Sequence, residues 1–299
     1  MIVQLIANVS EERIDRFLHS QMPDRSRSYI QKLIEQGCVT QNGRLVRAST
    51  KTLLQAQIQV EIPEPAPSQL IPEQIPLDVR YEDEWLLVIN KPQGMVVHPA
   101  VGHHEGTLVH ALLAYCAGNL SDINGVIRPG IVHRIDKDTS GLLLVVKDNR
   151  VHAAIAEKIR RHEITRIYRA VVYGVPPSAS GTIDAPVGRD PKNRQRMAVV
   201  AGGKPAVSHF SVLEQFREAA FVEVRLESGR THQIRVHMKY IGHPVVGDPV
   251  YAPGRKTYGL QGQALHAASL SFVHPVSGET ITVDSPLPES FEHLLEQLR

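Results

Sequence analysis

The 299-residue chain has only two cysteines, Cys38 and Cys116, and they fall in what read as separate domains. That excludes a disulfide framework and a cysteine-built zinc site, and it fits reduced packing thiols in a cytoplasmic protein. No apolar run approaches the ~18 residues of a membrane span. The start, Met1-Ile2-Val3-Gln4, lacks a basic region followed by a long apolar stretch, so no export signal is expected. Gly-rich phosphate loops, dinucleotide fingerprints and His-x-x-x-His pairs are missing as well. His103-His104-Glu105 lies on a Gly-flanked loop, where adjacent side chains do not converge on one ion. The expectation is a chain with no metal, no cofactor, no dinucleotide and no membrane partner. Internal repeats are also absent.

Charge is scarce only on average. The net charge of +2 hides a segment from Arg13 to Lys51 at +5, one from Glu61 to Glu84 at −6 and one from Arg189 to Lys204 at +4. Segregation of this kind points to local basic surfaces suited to phosphates, although any single run could be a solvated face.

Along the chain, Arg13 to Leu18 and Ser28 to Gln36 carry helical apolar spacing, and Gly37 stops the second helix. A strand signal at Cys38 to Thr40 meets Asn42-Gly43, a two-residue hairpin turn. From Pro63 to Pro76 five prolines fall in fourteen residues. This predicts a semi-rigid linker between a unit at 1–62 and a larger one at 77–299, with the first free to move. The larger unit opens with a hairpin, Leu77 to Tyr81 and Trp85 to Ile89, followed by Lys91-Pro92-x-Gly94-Met95-Val96-Val97-His98-Pro99. Helices are predicted at 151–161, 231–241 and 288–298. Strands are predicted at 164–172, 206–216, 219–226, 265–272 and 280–283, with a basic loop between Gly188 and Lys204. The fold class is α+β: a mixed, mainly antiparallel sheet with flanking helices around one cleft.

Two stretches carry chemistry. In the first, the apolar runs Ile131-Val132 and Leu142 to Val146 bracket the polar segment His133 to Ser140. Two buried strands would hold that segment rigidly at a cleft floor, where Asp136 between Arg134 and Lys137 stays ionised. The second runs from Leu226 to His237 and includes Gly229-Arg230-Thr231-His232-Gln233-Ile234-Arg235. On a helix, Ile234, Met238 and Ile241 face inward, while Arg235 presents a planar fork able to hold a carboxylate. Taken singly, each has a plainer reading: a solvated turn, a salt-bridged surface helix, a structural His98, a strand tyrosine at Tyr168 packing on its sheet.

Length and combination favour the sharper reading. His133-Arg134-Ile135-Asp136 with Thr139-Ser140-Gly141 resembles the active-site signature of the RluA/RluD family of RNA pseudouridine synthases. The Lys91 to Pro99 motif, Arg166-x-Tyr168-x-Ala170 and the Arg230 to Arg235 stretch extend that resemblance over nearly the whole chain. Ile135 stands where Leu is usual, and Ser228 where Thr is more frequent. The segment Arg13-Ile14-Asp15-Arg16-Phe17-Leu18, then Ser26-Arg27-Ser28, Leu33-Ile34-x-x-Gly37 and Asn42-Gly43, resembles an S4 RNA-binding module. It departs at Gln41, where Val is usual, and at Gln55-Ala56-Gln57 in place of Gly-Asp.

The resemblance implies that Asp136 is the catalytic aspartate and that Arg235 holds it. It implies that Tyr168 is a platform for a flipped uracil, that Arg134 helps displace the target nucleotide, and that His133 and Arg230 bind substrate. Arg25, Arg27 and Lys32 are expected to lie along phosphates, as position-fixing contacts without sequence readout. Arg189, Lys192, Arg194 and Arg196 are candidates to grip RNA backbone. The implied activity is uridine isomerisation in structured RNA, with large-subunit ribosomal RNA ahead of transfer RNA, by a monomer. Two rivals remain: a non-catalytic RNA-binding ribosome-assembly factor, and a glycosidase. The glycosidase needs a second carboxyl, for which Asp138 is poorly placed.

Overall fold

The computed structural model describes residues 2–23, 25–63, 70–99, 103–123, 129–193 and 196–299. The N-terminal unit is built from β1 (Ile2–Ile6), α1 (Ile14–Gln21), α2 (Arg27–Glu35), β2 (Val39–Gln41), β3 (Arg44–Leu45) and β4 (Gln57–Glu61). The strands form one antiparallel sheet in the order β1-β4-β2-β3. Ile14, Phe17 and Leu18 of α1 and Ile30 and Leu33 of α2 pack with Val39, Ile58 and Val60 as its core. Ser26 caps α2 by accepting from the Tyr29 N–H at 3.2 Å. Asn42 and Gly43, at φ 50° and 76°, make the tight turn between β2 and β3.

Strand β1 is not among the strands expected from the sequence; its Val3 and Leu5 pack on the core beside β4, with which it pairs. The unusual Gln41 is buried and satisfied, since its amide donates to the Lys51 carbonyl and accepts from the Leu53 N–H. Asp15 is fully buried and receives Arg13, Arg27 and Gln31. Burial works against its charge, but these donors outweigh burial and hold the carboxyl far below the usual carboxylate range.

The second unit contains β5 (Val79–Glu82), β6 (Leu86–Lys91), α3 (Leu108–Tyr115), β7 (Ser140–Val146), α4 (Asn149–Arg160), β8 (Thr165–Tyr173) and β9 (Ser180–Asp184). It continues through β10 (Val187–Arg189), β11 (Met197–Val199), β12 (Val207–Gln215), β13 (Ala219–Leu226), α5 (Gln233–Tyr240), β14 (Leu265–Val273), β15 (Thr280–Asp284) and α6 (Glu289–Leu298). Its nine-stranded sheet runs β5-β6-β7-β14-β8-β13-β12-β9, with β15 beside β14. All pairings are antiparallel except β7 with β14, which join in parallel at Ser140 and Gly141. Gly141 sits at φ +110°, and a Cβ there would lie 2.3 Å from the Ala267 carbonyl oxygen, so only glycine lets the two strands meet.

Every residue of β7 is buried: Leu143 and Val145 enter one core, while Leu142, Leu144 and Val146 enter a second. A strand covered on both faces reads as a continuous apolar run, as this one does. Ile131-Val132 is not a strand. Ile131 makes an isolated bridge to Val145, and the next position along β7 is occupied by a side chain, the His133 Nε2, which accepts from the Leu144 N–H at 3.0 Å.

Where the basic stretch between Gly188 and Lys204 reads as a loop, residues 187–189 and 197–199 instead pair in antiparallel register as β10 and β11. Val187, Met197 and Val199 anchor the two arms against α5, and Asp190 closes the turn by accepting from the Lys192 N–H and from Arg196 Nε. Of the proline-rich segment, 64–69 lie outside the described residues. Residues from Leu70 onward are fastened to the second unit, where the Glu73 carboxylate accepts from the Gly106 N–H and Leu70 and Leu77 pack on the core. The helix predicted from Thr231 starts two residues later, after a left-handed His232 at φ 57°. Among the described residues no helix is long and apolar enough to cross a membrane.

Candidate active site

The polar segment His133 to Ser140 is pinned from several sides. Lys91, wholly buried at the end of β6, donates its ammonium to the carbonyls of Lys137, Pro92 and Met95 at 2.8–2.9 Å. Burial pulls this lysine down to about 7, opposed by Asp138 and Asp136. The Gly94 N–H also reaches the Lys137 carbonyl, and the Gln93 amide reaches the Asp138 carbonyl. Gln263 donates to Thr139 Oγ1, and Ser140 pairs with the buried His266. The anchoring bond of His133 suits a neutral ring, and burial, seconded by Arg166, pushes its pKa down to about 3. His133 therefore fixes the loop as well as lining the cleft.

Asp136, thus held, meets Arg235 of α5, whose Nη1 donates to Asp136 Oδ2 at 2.9 Å. The guanidinium is 4% exposed and is clasped from behind by Asp248, Nε to Oδ2 at 2.7 Å and Nη2 to Oδ1 at 2.9 Å. Burial opposes the charge, but the two aspartates overcome it and raise the pKa above the ordinary arginine value. Asp248 is itself fixed by the N–H groups of Val250 and Tyr251. The Tyr251 ring lies 5.1 Å from the Arg235 guanidinium and stands edge-on to His232, whose Nε2 is 3.8 Å from Asp136 Oδ1.

The cleft over this floor measures about 420 Å³, within the range that holds a small ligand or one nucleotide. Ile135, Leu226, Ile234 and Leu265 give it apolar walls, and Tyr168 of β8 joins them with its phenol pushed up by burial. Arg166 shares the Tyr168 face of β8 and is 6% exposed, its guanidinium running beside Gly229, where a Cβ would come within 2.7 Å. Arg134 and Arg230 stand at the rim, Arg230 braced on the Pro205 carbonyl. Asp136 is the only carboxylate lining the cleft among the described residues. No group of three or more metal-type side chains converges there or elsewhere among the described residues.

The structure thus gathers Asp136, Arg134, His133, Tyr168, Arg230 and Arg235 around one cleft. Arg25, Arg27 and Lys32 lie on the N-terminal unit. Arg25 stacks on Tyr29, and Arg27 spends Nε and Nη2 on Asp15. Arg189 is exposed on β10 and Lys192 in the following turn, while Arg196 is committed to Asp190; Arg194 lies outside the described residues. Sequence reading gave no site role to Arg166, His232, Asp248 or Tyr251, and took Lys91 only as part of a motif shaping the cleft wall. The Gly247-Asp248-Pro249-x-Tyr251 stretch reads as a turn, and only the fold shows that it backs Arg235.

The family model described as RNA pseudouridylate synthase matches residues 85–240, and the S4 domain model matches residues 12–55. An uncharacterised RNA pseudouridine synthase of Bacillus subtilis is 53% identical over 96% of this chain and 94% of its own. The ribosomal large subunit pseudouridine synthase D of Zymomonas mobilis is 48% identical over 96% and 93%, and that of Escherichia coli O157:H7 is 43% identical over 99% and 95%. Among solved structures, human RNA pseudouridylate synthase domain containing 1 superposes with a TM-score of 0.58 at 24% identity, covering 75% of this chain and 95% of that one.

Proposed function

Because the chain belongs to the RNA pseudouridylate synthase family, we propose that it isomerises uridine in large-subunit ribosomal RNA, with Asp136 as the nucleophile acting on a flipped-out nucleotide. The observation that carries this reading is the Asp136–Arg235 contact of 2.9 Å at the cleft floor. A carboxylate held there by a fixed guanidinium is aimed before substrate arrives.

A uridine stacked in RNA hides C1′ and the base edge, so it must leave its stack at a cost of a few kcal/mol. Arg134 at the rim and the cationic surface around it offset that cost, and Tyr168 offers the extruded base an aromatic wall. Asp136 then acts, the C1′–N1 bond breaks, the base turns, and C5 takes the place of N1. Atoms are conserved and nothing is oxidised, so the reaction requires no dinucleotide. A hydrolase of glycosidic bonds would want two carboxyls in the cleft, and Asp136 lines it alone among the described residues. The S4 unit supplies phosphate contacts away from the chemistry.

The test is pseudouridine mapping of ribosomal and transfer RNA from cells with and without the gene, repeated with Asp136→Asn. The reading requires sites in large-subunit ribosomal RNA to disappear in both the null and the variant. Conversion surviving Asp136→Asn overturns the nucleophile, and sites lost only from transfer RNA overturn the substrate.

A further inference from the structure

His232 is backed by a chain of groups that leaves one ring nitrogen facing substrate. The Met197 N–H of β11 donates to the Tyr251 hydroxyl oxygen at 3.0 Å, and that oxygen lies 2.9 Å from His232 Nδ1. Burial pushes the Tyr251 phenol up to about 12, so it keeps its proton near neutral pH. With Met197 on one lone pair, and no other acceptor for this hydroxyl among the described residues, the phenol proton goes to Nδ1. The proton of a neutral imidazole then resides on Nε2, on the cleft side and 3.8 Å from Asp136 Oδ1. At 3.8 Å it is too far to be spent on the carboxylate.

The backbone agrees. His232 is held in the left-handed region at φ 57°, ψ 22°, which turns the chain into α5 and fixes where its ring points. Its side chain is 21% exposed, and the charged groups of the floor are engaged with one another: Arg235 and Asp248 hold each other, and Asp136 holds Arg235. Burial lowers the His232 pKa and outweighs the pull of Asp136, aided by Arg235 and Arg134, so the ring is neutral at pH 7.

Resting on the uridine-isomerase reading above, we infer that His232 is a further catalytic residue, whose Nε2–H donates a hydrogen bond to a carbonyl oxygen of the flipped uracil. When C1′–N1 breaks, its electron pair stays on the base and spreads over N1 and the carbonyl oxygens. When C1′–C5 forms, a pair returns to C1′, C5 gives up its proton and N1 gains one. A fixed neutral donor stabilises the intervening anion without itself transferring a proton.

Two variants and one spectrum test this in the full-length protein. His232→Asn tolerates left-handed backbone, but its amide ends where Nδ1 stood and cannot reach the cleft. His232→Gln restores a donor near the Nε2 position. On a large-subunit ribosomal RNA transcript, His232→Asn should lower the single-turnover rate on the order of 100-fold with RNA affinity unchanged. His232→Gln should recover at least about a tenth of the wild-type rate, a loss no greater than one rate decade. Nitrogen-15 NMR, with the His232 signals assigned by their loss in His232→Gln, should show the Nε2–H tautomer at pH 7, and Tyr251→Phe should release Nδ1 from it. An imidazolium or an Nδ1–H tautomer at pH 7 overturns the inference, as does His232→Asn turning over at the wild-type rate. If wild-type protein fails to convert the transcript, it is the substrate reading that falls, and the tautomer measurement still decides the ring.

Discussion

Arg235 touches two aspartates, and the two contacts do different work. Asp248 takes both Nε and Nη2, which fixes the plane of the guanidinium, so Nη1 alone is left for Asp136. Arg235→Lys keeps a charge but cannot serve both partners; turnover should fall by at least about 100-fold with little change in RNA affinity, measured as single-turnover conversion beside binding. Normal turnover would remove the pairing from the mechanism. The buried histidines give a pH prediction. His133 is lowered to about 3, and His152 and His266 to about 4, each by burial. The unfolded chain binds these protons near pH 6.5 and the folded chain does not, so stability is full above that value and drains away as pH falls toward 4. Urea midpoints at pH 7.5, 6 and 5 should decline by an amount worth a few kcal/mol in total, and a flat profile would mean that the rings are charged in the fold. The motif residues Asp136, Tyr168 and Arg235 were legible in the sequence through the family resemblance, each having a plainer reading alone, and the fold brings the three to one cleft. Asp248 and Tyr251 were not, because a turn that also backs a guanidinium carries the same residues as a turn that does not.

Elements with strong periodicity were read almost to the residue: β13 is 219–226 in both accounts, and β8, β12 and β14 differ by a residue or so. The failures share a cause, which is that partners far along the chain decide them. β1 depends on β4, and β10 and β11 depend on α5 behind them. The apparent strand at Ile131 is pre-empted by the His133 ring. The same dependence makes β7 vulnerable at one point. Gly141→Ala places a methyl 2.3 Å from the Ala267 carbonyl oxygen in a backbone conformation that L residues avoid. The cost should be at least about 3 kcal/mol, visible in the urea midpoint, and turnover should fall with it because Ser140 and Thr139 lose their register to β14. An unchanged midpoint would mean that β7 and β14 separate freely. Lys91→Met should also destabilise, by about 3 kcal/mol, because the Pro92 and Met95 carbonyls lose the ammonium and the Lys137 carbonyl keeps only the Gly94 N–H.

At the scale of the whole molecule the two units divide the work of holding RNA and changing it. Deleting residues 1–62 should leave the catalytic unit folded, weaken RNA binding and flatten its dependence on salt. If Arg25, Arg27 and Lys32 each meet a phosphate, the slope of log affinity against log salt should shrink by about 2 to 3. An unchanged slope would place the phosphate contacts elsewhere.

The contacts of the loop around Asp136 have a consequence in time. They come from Lys91 before it and from Arg235, Gln263 and His266 after it. The N-terminal sheet, in contrast, is complete once β4 has emerged from the ribosome at Glu61. During synthesis the chain therefore gains its N-terminal unit early, while the clamp on the aspartate waits until β14 has been made. Until β14 is made, the chain carries its N-terminal sheet without the full set of contacts that holds Asp136.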